Sequence, residues 1–118
     1  MIPKTPFYYY DTALLQATLD AITSIVAEYP HFHVHYALKA NANPKLLRLI
    51  QQAGLGVDCV RGGEVQVGID NGFDASKIVY AGVGKSDEEI LLALHHGIFC
   101  FNVESIPELE IINELAEQ

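Results

Sequence analysis

Four short runs of apolar, β-branched or aromatic residues recur at nearly constant spacing along this chain. The runs cover residues 34–38, 57–60, 78–81 and 98–103. Successive runs are offset by 23, 22 and 20 residues, counted from Val34 through Val57 and Val79 to Phe99. Each run is followed by a segment with helical periodicity. Strands that alternate with helices at this spacing predict βα units and a parallel sheet.

Start and stop signals frame the helical segments. Asn43 and Pro44 suit the N-cap and the first position of a helix that Gly54 ends. A second helix is predicted from Gly63 to about Asn71. Two further helices are predicted to begin at capping boxes, Ser86 with Glu89 and Ser105 with Glu108.

The residues before the first run form an amino-terminal part. Residues 5–10 predict an extended segment. A helix from about Thr12 to Tyr29 is predicted next, with Asp11 as its N-cap. We therefore divide the chain into an amino-terminal segment and helix, residues 1–30, and an α/β part, residues 31–118.

The number of units bounds the fold. Four βα units make half of a (β/α)8 TIM barrel, which takes about 250 residues in its complete form. A four-stranded doubly wound sheet could be complete within 118 residues. The pattern alone leaves both architectures open.

Composition excludes several classes of partner. The net charge is −8 and no cluster of Lys and Arg could follow a phosphate backbone, so we expect no nucleic acid. No apolar run approaches the ~20 residues of a membrane-spanning helix, and the first six residues lack the pattern of a signal peptide. The two cysteines, Cys59 and Cys100, are predicted to be buried free thiols in a reducing cytoplasm.

Lys39 is the strongest candidate for chemistry. It closes the first apolar run, and the Ala-Asn-Ala-Asn-Pro that follows is typical of a strand that ends and turns into a helix. Strand alternation places His35, Ala37 and Lys39 on one face, which we expect to point away from the covering helices. A desolvated amine at that position would be a nucleophile toward carbonyl groups, which suggests a Schiff-base lysine. The alternative is a lysine that snorkels over the end of the sheet.

Asp58 lies inside the second apolar run, where a carboxylate needs a partner. Two interpretations stay open. Its side chain turns inward and pairs with Lys39, or it caps the turn at Gly62 and Gly63.

Other polar residues after the strands have simpler interpretations. We interpret four of them as turn or cap residues: Asn41, Asn43, Arg61 and Glu64. The segment 82–86 resembles a phosphate loop only weakly because it lacks the full spacing, and Lys85 is predicted to lie on the surface.

His31, His33 and His35 alternate along the chain and, on one strand face, could ligate the metal of a hydrolase. They precede the first strand or begin it, at the edge opposite Lys39, where conserved function is unusual in barrels. We therefore predict no metal site.

Several motifs together resemble those of the diaminopimelate decarboxylases, in the alanine racemase-like group of pyridoxal phosphate enzymes. The segment 35–44, which contains Lys39, resembles the lysine motif of that family. Further similarity runs along the whole chain, at residues 5–11, 54–64, 78–86 and 101–105. Single motifs are shared with ornithine-type decarboxylases, and the combination of the last two favours the diaminopimelate branch.

The resemblance implies a (β/α)8 barrel whose first half is residues 31–118, with the second half and a β-domain outside this chain. It implies that Lys39 binds pyridoxal phosphate and that Ala37 and Asp58 lie against the cofactor. The implied reaction of the parent enzyme is the decarboxylation of a small-molecule amino acid, meso-diaminopimelate, to L-lysine in lysine biosynthesis. A cytoplasmic homodimer is implied for the full-length protein.

The sequence departs from the family pattern at Arg61, where a small serine is expected. The family's residues for ring stacking, phosphate binding and the pyridinium nitrogen come later than residue 118, so we expect the chain alone to be inactive. Two alternatives are a non-catalytic pyridoxal phosphate-binding barrel protein and another basic amino-acid decarboxylase of the same family.

Overall fold

A computed structural model describes residues 3–118 of the protein. An amino-terminal helix precedes four successive strand–helix units in these residues. The elements are α1 (Thr12–Val26), β1 (His35–Ala37), α2 (Pro44–Gln52), β2 (Gly56–Cys59), α3 (Gly62–Asp70), β3 (Ile78–Tyr80), α4 (Asp87–His96), β4 (Cys100–Phe101) and α5 (Ile106–Ala116). Two single 3₁₀ turns, Leu38–Ala40 and Ala75–Lys77, lie after β1 and before β3.

The strands form one parallel sheet in the order β1-β2-β3-β4. This confirms the predicted α/β class and the four βα units. One face of the sheet is buried in the two central strands: Val57, Cys59 and Ile78 are 0% exposed. Most residues of the opposite face are only half-buried, although Gly56 at the start of β2 is buried. A complete doubly wound sheet has both faces covered, so the one-sided burial favours a partial barrel whose inner face is open.

The covered face of the sheet carries the hydrophobic core. Leu47 and Ile50 of α2 and Val65 of α3 pack in one cluster with the strand residues. Leu19 of α1 belongs to the same cluster. Each such side chain contributes about 1.5–3 kcal/mol on burial. The helices are therefore attached to one side of the sheet only.

Three predicted element boundaries are wrong. β1 ends at Ala37, and Leu38, which is 1% exposed in the core, is the first residue of a 3₁₀ turn. α1 ends at Val26 rather than Tyr29, since Pro30 disfavours helical geometry in the residue before it. β4 has two residues instead of six, and it pairs with β3 alone.

The helix starts agree with the predicted caps. Asp11 accepts hydrogen bonds from the backbone of Ala13 and Leu14, and Asn43 accepts one from Lys45. Ser86 and Glu89 form the complete capping box.

The second predicted capping box, at the start of α5, is only half formed. The Ser105 hydroxyl accepts a hydrogen bond from the backbone of Glu108, as predicted. The Glu108 carboxylate, however, accepts from the backbone of Glu104 rather than Ser105.

A glutamate occupies the third position of α3, α4 and α5, and each one braces the loop before its own helix. Glu64 accepts a hydrogen bond from the backbone N–H of Val60 at 2.6 Å. Glu89 accepts one from Ser86, and its other oxygen accepts from the backbone N–H of Gly62, in the preceding unit, at 2.9 Å. These bonds hold the loops at the carboxyl edge of the sheet.

The side chain of Lys85 is buried, which corrects the prediction that it lies on the surface. Its side chain is 1% exposed and forms an ion pair with Glu108, the third residue of α5. The ammonium also donates to the carbonyl oxygens of Gly82 and Asn102, at 2.7 and 3.0 Å, and lies 5.5 Å from the ring centre of Tyr80. The burial follows from these acceptors, since a desolvated ammonium requires a full set of partners.

We predict that Glu89→Gln destabilises the protein in a pH-dependent way. Backbone N–H groups of Ser86 and Gly62 lower the pKa of Glu89 from its ordinary value of 4.5. The stabilisation is thus complete above pH 4.5 and is lost as the pH falls through the lowered pKa of the folded state. Urea unfolding at pH 7 should show a loss of about 1 kcal/mol, as for a lost cap, and a smaller loss at pH 3. Glu88→Gln, at an exposed neighbouring position, is the matched control. A pH-independent loss would contradict this account.

We predict that Lys85 and Glu108 are strongly coupled. Lys85→Met leaves the Glu108 carboxylate without its cation in a site where that side chain is 14% exposed, so unfolding free energy should fall by about 3–5 kcal/mol. Combining Lys85→Met with Glu108→Leu should restore much of this loss. A double-mutant cycle in urea measures the coupling, with exposed Lys45→Met as the control. Strictly additive losses would refute the coupling.

Candidate functional site

The open face of the sheet carries one row of residues in register across all four strands. Ala37 is paired with Asp58, Asp58 with Val79, and Val79 with Cys100. All four are half-buried. Because partners in a parallel register share a face, the two predicted cofactor contacts, Ala37 and Asp58, are neighbours on the inner face.

The Asp58 carboxylate has a buried oxygen without a partner. Oδ1 is inaccessible to solvent, and no group in residues 3–118 donates a hydrogen bond to it. Neither predicted role of Asp58 is seen: it forms no ion pair with Lys39, and it does not cap the turn at Gly62 and Gly63. In the described part of the chain the ion pair is that of Lys85 with Glu108, and the N–H of Gly62 is taken by Glu89. A buried carboxylate oxygen without a donor is costly, because its lost hydration is not replaced by another hydrogen bond.

Lys39 lies at the carboxyl end of β1, as predicted, but it is not a strand residue. It is the middle residue of the 3₁₀ turn Leu38–Ala40. Its side chain is exposed, so the predicted desolvation is not present in this chain. The carboxyl edge that carries Lys39 also carries the loops held by the three glutamates.

The other loop residues follow their simple interpretations in part. Asn43 is a helix cap, and Asn41 accepts a hydrogen bond from the backbone of Asn43. Arg61 is exposed at the N-cap position of α3 and makes no side-chain capping bond. Glu64 is not a cap, because its carboxylate accepts a hydrogen bond from the backbone N–H of Val60 in the loop before α3. The short spacing between Val60 and Glu64 could have indicated this bond.

Sequence reasoning missed Glu89 and the partners of Lys85. Glu89 was recognised only as half of a capping box, and its bond to Gly62 spans 27 residues. Lys85 and Glu108 are 23 residues apart. No local pattern reports contacts between successive units, so only the sheet order could have suggested them.

The glycines of segment 82–86 have a structural reason. Gly82 has φ +88°, and a Cβ on it would lie 2.7 Å from the carbonyl oxygen of Val60. The loop after β3 therefore packs tightly on the end of β2. This close approach explains the glycine without any bound phosphate.

The three alternating histidines are not on one strand. β1 begins at His35, and His31 and His33 precede it. Within residues 3–118 there is no group of three or more His, Cys, Asp or Glu side chains suited to a metal ion. Desolvation and the neighbouring His33 lower the pKa of His35.

A cavity of about 480 Å³ lies at the amino edge of the sheet, opposite Lys39. Its lining includes Ile22 and Val26 of α1, together with Phe32, His33 and His35.

The two cysteines, Cys59 and Cys100, lie on opposite faces of the sheet. Burial raises the pKa of Cys59 to about 12 and also raises that of Cys100. Both thiols are free, and Cys100 is half-buried rather than buried.

Residues 16–118 match the model of a protein family described as the pyridoxal-dependent decarboxylases, in their pyridoxal-binding domain. The chain is 65% identical over 113 residues to the diaminopimelate decarboxylase of Bacteroides thetaiotaomicron, covering 96% of this chain and 29% of that protein. It is 38% identical to the L-glutamyl-[BtrI acyl-carrier protein] decarboxylase of Niallia circulans, covering 98% of this chain and 26% of that protein.

A solved structure shows the same fold. The crystal structure of diaminopimelate decarboxylase from Helicobacter pylori, complexed with L-lysine, matches with a TM-score of 0.85 and 39% identity. The match covers 98% of this chain and 29% of that one. The chain thus spans less than a third of the length of these relatives.

No helix within residues 3–118 is both long enough and apolar enough to cross a bilayer.

The family match covers most of the chain and confirms pyridoxal phosphate as the expected cofactor. This chain belongs to the pyridoxal-dependent decarboxylase family, and its residues 16–118 match the pyridoxal-binding domain of that family.

Proposed function

We propose that this chain is the amino-terminal part of a diaminopimelate decarboxylase, a pyridoxal phosphate-dependent carboxy-lyase that forms L-lysine from meso-diaminopimelate. The 65% identity to the Bacteroides thetaiotaomicron enzyme supports this substrate. The observation that carries the proposal is the pairing of Ala37 with Asp58 on the open face of the sheet, beside the end of β1 from which Lys39 extends.

The residues present fit a flat cofactor ring that carries an aldehyde. Ala37 is small and leaves space on the inner face. Asp58 offers a buried carboxylate oxygen with no donor from the described residues, which suits a group that brings a proton or a positive charge. Lys39 offers an exposed amine at the adjacent carboxyl edge, where barrels bind their ligands.

Each residue then has a distinct task. Lys39 supplies the amine that attaches the cofactor covalently. Asp58 offers its carboxylate oxygen to a proton donor on the cofactor ring and so orients the ring, and Ala37 admits the ring without a clash. Pyridoxal phosphate, when bound, acts as the electron sink that stabilises the charge left on the substrate carbon as CO2 departs.

The division of the chain belongs to the same proposal. Residues 1–30, of which 1 and 2 lie outside the described part, form the amino-terminal segment and helix, and residues 31–118 form the first half of the barrel. The open inner face and the unpaired outer edges of β1 and β4 support a second half supplied by further chain. A cytoplasmic location and a homodimer stay predictions from the resemblance.

The substrate class has a specific alternative. The Niallia circulans relative is named for a different, glutamyl substrate, and it covers this chain as fully as the diaminopimelate enzymes do. Residues that choose between substrates therefore need not lie in this part of the barrel. Release of CO2 from diaminopimelate by the full-length protein would support the proposal. Binding of cofactor with no release from any amino acid would favour a non-catalytic barrel.

We predict that Lys39 is the residue that binds pyridoxal phosphate. Full-length protein treated with the cofactor and reduced with borohydride should carry the label on the peptide containing Lys39, read by mass spectrometry. Lys39→Ala should abolish the label, and Lys45→Ala, at an exposed position six residues away, should leave it intact. Label on Lys45 or Lys85 instead would refute the assignment. The isolated 118-residue chain should release no CO2 from diaminopimelate.

A further inference from the structure

Asn41 makes hydrogen bonds in three directions beside the turn that carries Lys39. Its amide Nδ2 donates to the Tyr10 hydroxyl at 3.0 Å. Its Oδ1 accepts from the backbone N–H of Asn43 at 3.0 Å. Its backbone carbonyl accepts from the Tyr36 hydroxyl at 3.0 Å. Asn41 thus joins the amino-terminal segment, strand β1 and the start of α2.

The orientation of the Asn41 amide is determined by these partners. The N–H of Asn43 requires an oxygen, so Oδ1 faces it and Nδ2 faces Tyr10. Burial raises the pKa of the Tyr36 phenol, so this hydroxyl keeps the proton that it donates to the Asn41 carbonyl.

The unit that carries Lys39 differs from the other three. In those units a glutamate at the third helix position braces the loop after the strand. The third position of α2 is Leu46, which is buried in the core and has no polar group. In this unit the hydrogen bonds of Asn41 hold the loop after the strand, in place of the glutamate that α2 lacks.

The backbone at Lys39 is consequently held from both sides. Leu38 is anchored in the core at 1% exposure, and Asn41 is anchored by its three hydrogen bonds. Lys39 and Ala40 lie between them and are exposed. The position of a long, flexible lysine amine depends on how well its Cα is fixed, and small misplacements of a reacting group lower rates steeply.

We propose that Asn41 is a positioning residue for Lys39, and that Tyr10 of the amino-terminal segment acts through it. This inference rests on the proposed function, in which Lys39 binds the cofactor. It assigns to residues 3–10 a role at the site: Tyr10 links this segment to the turn that presents the reactive amine.

The test is the rate at which Lys39 is labelled. Cofactor-free full-length protein is mixed with pyridoxal phosphate and quenched with borohydride at intervals. Asn41→Ala should slow labelling about three- to tenfold, as for one or two lost hydrogen bonds. Tyr10→Phe should slow it in the same direction. Adding Tyr10→Phe to Asn41→Ala should cause no further loss, because Tyr10 acts through Asn41. Tyr9→Phe, 81% exposed, is the matched control and should keep the original rate.

A rescue separates positioning from a general loss of structure. Asn41→Asp keeps an oxygen for the Asn43 N–H and offers a second oxygen to the Tyr10 hydroxyl, so it should recover most of the rate. This recovery should be reduced in the Tyr10→Phe background. Amide hydrogen exchange at Asn43 in the cofactor-free protein should become faster in Asn41→Ala and not in Tyr9→Phe.

The outcomes separate the two proposals. Labelled Lys39 with unchanged rates in Asn41→Ala and Tyr10→Phe overturns this inference alone. A slower Asn41→Ala that tracks a loss of unfolding free energy and is not recovered by Asn41→Asp also overturns it, since the role would then be structural. If Lys39 of the unaltered protein takes no label, the proposed function fails and the inference fails with it.

Discussion

Parallel pairing in chain order is the constraint on which the rest of this structure depends. It brings the carboxyl ends of all four strands to one edge, and it sorts alternate residues onto two faces. One face is sealed by the helices, with Val57 and Ile78 fully buried. The other carries the row that includes Ala37 and Asp58. The same register that forms the core therefore places the polar groups of the site where no helix covers them.

The loops at the carboxyl edge of the sheet are held by glutamates that recur at the third position of α3, α4 and α5. A carboxylate at the third position of a helix satisfies backbone N–H groups that the helix cannot, and in α4 and α5 it also reaches into the preceding unit. Glu89 binds Gly62 in this way, and Glu108 binds Lys85. Because the third and fourth units are each tied to the unit before them, the loops of the last three units are held together. The first unit has no predecessor in the sheet and no such glutamate, and there Asn41 uses side-chain amide and backbone carbonyl instead.

Local signals in the sequence were sufficient for the elements, their order and most caps. The spacing of apolar runs predicted four parallel units, and Asp11, Asn43 and Ser86 were recognised from residue type and position. Contacts between units were not predictable, since nothing local to Lys85 announces an acceptor 23 residues later. The same limit applies to Lys39. Alternation extended the strand through it, whereas β1 ends at Ala37 and the chain turns at Leu38–Ala40. β4 likewise has two residues where the apolar run predicted six.

The exposure of Lys39 shows that this part of the chain fixes the position of the lysine but does not desolvate its amine. Its own residues fix the backbone around the amine, through Leu38 in the core and Asn41 at the edge. They do not provide the low-polarity surroundings that make an amine a nucleophile, because the face beside it is open. Asp58 shows the same division, with one carboxylate oxygen already desolvated and still without a donor. The backbone of Lys39 and the carboxylate of Asp58 are thus held in place, although the described residues give neither polar group a partner. In the proposed function, the cofactor and the chain that closes the open face must supply the missing partners together, and the half-barrel alone then has the geometry of the site without its chemistry.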